Sequence, residues 1–126
     1  MATRSQLLKY QVFTNAAMSG TSTITSPVTN IQFLDLIGYQ MNFTGTPTGT
    51  FQVQISIDYA QDNNGNVTNP GNWDNMALSP TPVAAGASGI IYVDIIDTSA
   101  PWIRLQYTNA SGTGTLNAFI TAKVGS

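Results

Sequence analysis

Histidine, cysteine and glutamate are absent from this 126-residue chain. The first two absences exclude Ser-His-Asp and Cys-His nucleophilic sites and any imidazole or thiolate metal ligand. Without cysteine there is also no disulfide framework, so bridges reveal nothing about the redox compartment. Charge is scarce at 8% of residues, against roughly 25% in an average soluble protein. The four cations, Arg4, Lys9, Arg104 and Lys123, are too few to track a phosphate backbone, so nucleic acid is not expected as a partner. Long apolar runs are missing as well, and neither a transmembrane helix nor a membrane partner is expected. The N-terminal MATRSQLLKYQVF carries Arg4 and Lys9 with no apolar stretch between them, unlike a secretory signal; the chain is expected to be used without export.

The polar positions are filled instead by Thr (17), Asn (11), Gly (11) and Ser (10). Such a surface barely titrates and repels itself weakly, which permits close packing of like subunits and points to a homo-oligomer. With 42% hydrophobic residues and a length near the commonest domain size, residues 1–126 read as a single domain able to bury a core. The composition favours a binding or structural module over an enzyme.

Period-2 alternation is the strongest pattern. In Thr50–Tyr59, Phe51, Val53, Ile55, Ile57 and Tyr59 alternate with Gln52, Gln54, Ser56 and Asp58, which predicts a strand with one buried and one wet face. Gly114–Val124 alternates in the same way, as does Pro101–Thr108, where Ile103, Leu105 and Tyr107 form one face and Trp102, Arg104 and Gln106 the other. Ile31–Phe43 changes parity near Asp35, where a bulge or a break is expected. Ile90–Ile96 is a β-branched apolar run, and Leu7–Phe13, Ser22–Thr25 and Trp73–Leu78 are weaker strands. Thr44–Thr50 and Asn109–Gly114 have the spacing of hairpin connections. Ala60–Asn72 reads as a long loop, and Ser79–Ser88, with Pro80 and Pro82, as irregular. No window has helical periodicity. Seven to eight short strands predict an all-β fold, an antiparallel β-sandwich of jelly-roll-like type.

Three groups of residues qualify as candidate sites. The loop from Asp58 through Asp62 to Asp74 is rich in Asp and Asn oxygens of the kind calcium takes. Gly65 follows Asp62 by three positions instead of five, however, and no acid closes the loop, so the EF-hand pattern fails. A solvated turn is the favoured reading, with no metal and no cofactor. Asp94 with Asp97, or Asp58 with Asp74, could in principle pair as glycosidase carboxylates, but so short a chain leaves little room for a cleft, and no catalytic residue is expected. Trp73, Trp102, Tyr92 and Tyr107 could form a stacking platform for surface glycans. Trp102 and Arg104 share a strand face, close enough to stack, and both types are enriched at interface hot spots. Intramolecular packing, a protein interface and ligand binding all remain open for them. Phe119 interrupts the polar face of its strand and is the third interface candidate.

The order of short motifs carries a resemblance. Gly49-Thr-Phe-Gln-Val-Gln-Ile-Ser56 is followed by a polar loop and Asn72-Trp73, then by Gly89-Ile-Ile-Tyr-Val-Asp94 and Ala100-Pro-Trp-Ile-Arg-Leu-Gln-Tyr107. The chain closes with Ser111-Gly-Thr-Gly-Thr-Leu-Asn-Ala-Phe-Ile-Thr-Ala-Lys123. Residues 31–124 resemble the small all-β virion proteins of tailed bacteriophages that decorate capsids or form tail and fibre parts. The resemblance implies a structural sandwich bound to an assembled particle, with the major capsid protein or other virion subunits as partners. It implies a virion location after assembly in the host cytoplasm. It hands over no catalytic residue. In such proteins a terminal arm often reaches a neighbour, so residues 1–20 are expected as an arm and Ala2–Phe13 as a second contact. A glycan-binding module and a tail or filament subunit are the alternatives.

Overall fold

The computed structural model describes residues 7–31, 36–76, 78, 81–96 and 100–123. Among them there is no helix; twelve strands follow in chain order. Six are long: β1 (Leu7–Met18), β4 (Leu36–Gly45), β5 (Thr48–Ser56), β10 (Gly89–Ile96), β11 (Trp102–Ser111) and β12 (Gly114–Lys123). Six are short: β2 (Thr23–Thr25), β3 (Thr29–Asn30), β6 (Ala60–Gln61), β7 (Val67–Asn69), β8 (Asp74–Asn75) and β9 (Val83–Ala85). One sheet has the order β1-β12-β4-β10; the other runs β2-β11-β5-β8, with β3 also on β11 and β9 also on β5. All pairs are antiparallel.

The short strands are interrupted long ones. β2 and β3 share one edge of β11, and Ser26 bridges them: its N–H donates to the Leu105 carbonyl at 2.8 Å. Pro27 has no N–H to give. The Ser26 hydroxyl accepts the Leu105 N–H at 2.8 Å, and the buried ladder position is satisfied. β8 and β9 likewise share the far edge of β5, joined by bonds from Met76 N–H to the Val53 carbonyl and from Phe51 N–H to the Pro82 carbonyl. Counted by position, the two sheets hold four strands each, and this strand order is that of an eight-position jelly roll. The small β6–β7 hairpin is an addition to it. Ser79–Ser88 is therefore not wholly irregular, because Pro82 precedes β9 and leaves its ladder donors intact.

Three expectations need correction. Thr44–Thr50 and Asn109–Gly114 do not close hairpins: β4 and β12 lie in one sheet, β5 and β11 in the other, so both turns arch between sheets. Alternation assigns each strand a face, not a partner. Residues 7–18 are not a free arm. They form β1, an edge strand paired along β12, and its Val12, Phe13 and Met18 enter the core. Ile57, expected inside, is 80% exposed, because β5 ends at Ser56 and the chain turns there. The expected bulge near Asp35 lies outside the described residues, as does Asp97.

Inward-facing residues of both sheets form one cluster, including Tyr39, Met41, Phe43, Leu116 and Ile120 from one sheet and Phe51, Val53, Ile103, Leu105 and Tyr107 from the other. Phe51 joins the two layers, 5.8 Å from the Phe43 ring and 4.7 Å from Tyr107. At the arch end the buried Asn109 accepts the Tyr107 hydroxyl at 2.7 Å and donates to the carbonyls of Gly20 (2.9 Å) and Gly112 (3.1 Å), tying two arches to the core. The Tyr39 hydroxyl is buried without a hydrogen-bond partner, and burial raises its pKa well above the ordinary phenol value.

These two buried polar groups should respond oppositely. Asn109→Ala strands three partners and should cost about 2 kcal/mol or more in chemical denaturation. Tyr39→Phe removes an orphan and should be neutral or stabilising by up to about 1 kcal/mol. A destabilised Tyr39→Phe would mean the hydroxyl has a partner after all.

Candidate functional site

At the end of the sandwich opposite the arches, β11 begins with its alternation intact. Trp102 and Arg104 face outward and Ile103 and Leu105 inward. The segment after β5 folds back over this outer face. Ser56 starts the return: its hydroxyl accepts the Tyr59 N–H and donates to Asp58 Oδ1, both at 3.1 Å. Asp58 then grips the far side of the loop, accepting the Asn72 N–H at 2.8 Å and its side-chain amide at 2.8 Å. Gly71 passes between them at φ 74°, so close that a Cβ would stand 2.8 Å from the Ser56 hydroxyl and the Tyr59 backbone. Only glycine fits there.

The fold-back brings four side chains together. The buried Tyr59 ring packs 4.9 Å from Trp102 in an edge-on arrangement and 5.5 Å from Trp73 at 57°. Arg104 lays its guanidinium over the Trp73 ring at 4.2 Å and donates through Nε to Gln54 Oε1 at 2.8 Å. Partial burial pulls the Arg104 pKa down, while the Tyr59 phenol opposes that. The sequence places Arg104 two residues from Trp102, but its stacking partner is Trp73, thirty-one positions away along the chain. Nothing in the local pattern signals that contact, because it depends on the Ser56–Asp58–Asn72 turn.

The carboxylates of this loop hold backbone. Asp62 Oδ1 accepts the N–H groups of Asn64 and Asn66, each at 2.9 Å. Bonds from Asn72 to Asp58, and from Asn66 and Asn64 to Asp62, lower both pKa values from the ordinary 3.8. Asp74 is exposed on β8, opposite Ile55. Among the described residues no group of three or more metal-ligating acids forms.

The remaining candidates are dispersed. Phe119 lies on the outer face of the β1-β12-β4-β10 sheet, under the Lys9 ammonium at 4.9 Å, so it and Trp102 face opposite sides of the sandwich. Tyr92 and Asp94 are on β10 in that same sheet, and Tyr107 is buried at 1% exposure. A four-ring platform of Trp73, Trp102, Tyr92 and Tyr107 therefore does not exist; only the first two are neighbours of one ring. Exposed Ile90 and Val83, with a 240 Å³ cleft bordered by Phe43, Val83, Ala85 and Ile90, escaped the sequence reading. The apolar run Ile90–Ile96 hid its own alternation.

No family model matches the chain, and no curated protein is similar to it in sequence. Its fold is similar to solved structures of virus particles. Over 94% of this chain it superposes on the infectious bursal disease virus Gt strain structure, with a TM-score of 0.58 at 11% identity. Over 96% it superposes on the VP2 subviral particle of the same virus, at 0.56 and 13%. It spans about a third of those chains, 32% and 33%. The prophage-derived protein YomS of SPBc2 aligns over 98% of this chain and 97% of its own at 14% identity, but with a TM-score of 0.46, too low to establish a shared fold. The chain is thus an all-β jelly-roll sandwich of the kind seen in viral particle proteins.

Two outcomes check this site. In a double-mutant cycle, Trp73→Ala and Arg104→Ala should couple by about 0.5–2 kcal/mol; additivity within error would show the stack to be idle. Because the folded Asp58 pKa is depressed, its hold on Asn72 is present above the ordinary Asp value and is lost as pH falls through the lowered one. The Asn72 amide resonance should shift with that acid titration; an Asn72 amide insensitive to acid would contradict the Asp58 grip.

Proposed function

We propose that this protein is a structural component of a bacteriophage virion, a decoration protein that binds the assembled shell through the major capsid protein. The observation that supports it best is the superposition of nearly the whole chain on a jelly roll used in virus particles. The surface chemistry fits. Gln52, Gln54 and Gln106 on one outer face and Gln40, Asn42 and Asn117 on the other present amides with almost no charge. Faces of that kind dock by hydrogen bonding and shape with little dependence on salt, and many weak copies bind a shell by multivalency. Such a protein would assemble in the host cytoplasm and remain with the virion.

Trp102 is the contact we favour on the loop-bearing face, since it is partly exposed and its indole is held by Tyr59. Phe119 would serve a contact on the opposite face. In co-sedimentation with particles lacking the protein, the wild type should pellet with the shell. Trp102→Ala should reduce the bound fraction while circular dichroism stays unchanged. Undiminished binding of Trp102→Ala would move the contact to the Phe119 face, and a wild type that never pellets would defeat the decoration reading. Capture on a glycan array, lost on Trp73→Ala, would favour a carbohydrate-binding role instead.

A further inference from the structure

The β1-β12-β4-β10 sheet has two free edges, since among the described residues no strand pairs with the outer side of β1 or of β10. Four antiparallel strands give those edges opposite directions. A second copy displaced sideways by one sheet width would therefore set its β1 antiparallel to β10 of the first. The two edges also differ in charge at the same level. Lys9 on β1 is opposite Thr121, Thr121 is opposite Gly38, and Gly38 is opposite Asp94 on β10, so cation and anion end one cross-strand row.

Other features set the extent of such a join. The longest regular stretch of β1 runs from Leu7 to Gln11, before the first bulge; a second, Ala16–Met18, follows the next. Bulges and lysines ordinarily blunt an edge. Here they leave a five-residue uninterrupted stretch, which matches Tyr92–Ile96 when Lys9 meets Asp94. On the β10 side Tyr92 braces the edge. The Tyr92 ring lies over Gly38, where a Cβ would collide with it, and its hydroxyl bonds with Asp94 and Thr121. Tyr10 on one edge is 57% exposed and Tyr92 on the other 55%, so each edge leaves an aromatic ring for a neighbour to cover. Among the described residues Lys9 is held by the Phe119 ring, a contact worth about 0.5–1 kcal/mol at an exposed site.

We propose that copies of this chain join edge to edge, β1 of one against β10 of the next, with Lys9 paired to Asp94 of the neighbouring copy. The join is head-to-tail, so it builds a ring or an open row and not a closed pair. It stands on the edges alone. A protein that self-assembles in this way but never binds particles would defeat the decoration reading and leave this one intact.

The absence of cysteine makes the test clean. Within one copy, positions 9 and 94 are three strand spacings apart, about 14 Å, beyond the limit of about 7 Å for a disulfide. The full chain carrying both Lys9→Cys and Asp94→Cys should, on oxidation, give a ladder of covalent multimers. Either cysteine alone should give none. Monomer only from the double variant overturns the proposal, and so does a dimer from Asp94→Cys alone, which would mean β10 pairs with itself. Light scattering supplies a second readout. Lys9→Asp or Asp94→Lys should each weaken association about tenfold, and the two together should restore it. Singles that associate like the wild type, or a double that stays dissociated, also overturn it.

Discussion

The burial of one sheet's inner face against the other is the constraint on which the rest depends. Phe51 is its centre. It reaches Phe43 in the opposite sheet and Tyr107 beside it, and every arch, loop and edge is placed by the layers those rings hold together. With few ion pairs available in so uncharged a chain, apolar burial is the dominant stabilising term. Buried polar groups finish a ladder, start the loop's return or tie an arch, as Ser26, Ser56 and Asn109 do. Tyr39 is the exception.

The two ends of the sandwich carry different work. The arch end is closed by a buried amide and by turns packed on one another: the Thr46 N–H donates to the Thr113 carbonyl at 2.8 Å. The other end holds the long loop, whose acids are spent on backbone amides, and that loop delivers Trp73 to Arg104. The outcome is a braced aromatic cluster of Tyr59, Trp73 and Trp102 with the Arg104 guanidinium laid against it. Among the described residues no group of three or more metal-ligating acids forms there.

Much of this fold was legible from alternation alone. The faces of β5, β11 and β12 follow from period 2, as does the outward placement of Trp102, Arg104 and Phe119. Partners were not legible. A strand with one apolar face is equally content beside its sequence neighbour or across the core from it, so arches look like hairpins. The exposure of Ile57 escaped because one hydroxyl, on Ser56, turns the chain and reverses the parity. The Arg104–Trp73 stack escaped because its partners meet only after an Asp58-gripped turn. Pro82 read as a break, yet its carbonyl accepts the Phe51 N–H and completes the ladder.

A low-charge jelly roll with amide-rich outer faces and open, oppositely charged edges fits a subunit that lies against a shell and its own copies. The central claim is residence in a virion. Quantitative mass spectrometry of gradient-purified particles, produced from the genome that encodes this chain, tests it most directly. The account predicts that the protein co-purifies in fixed proportion to the shell protein through successive gradients. Its recovery only in the soluble fraction, with particles complete without it, would contradict the account.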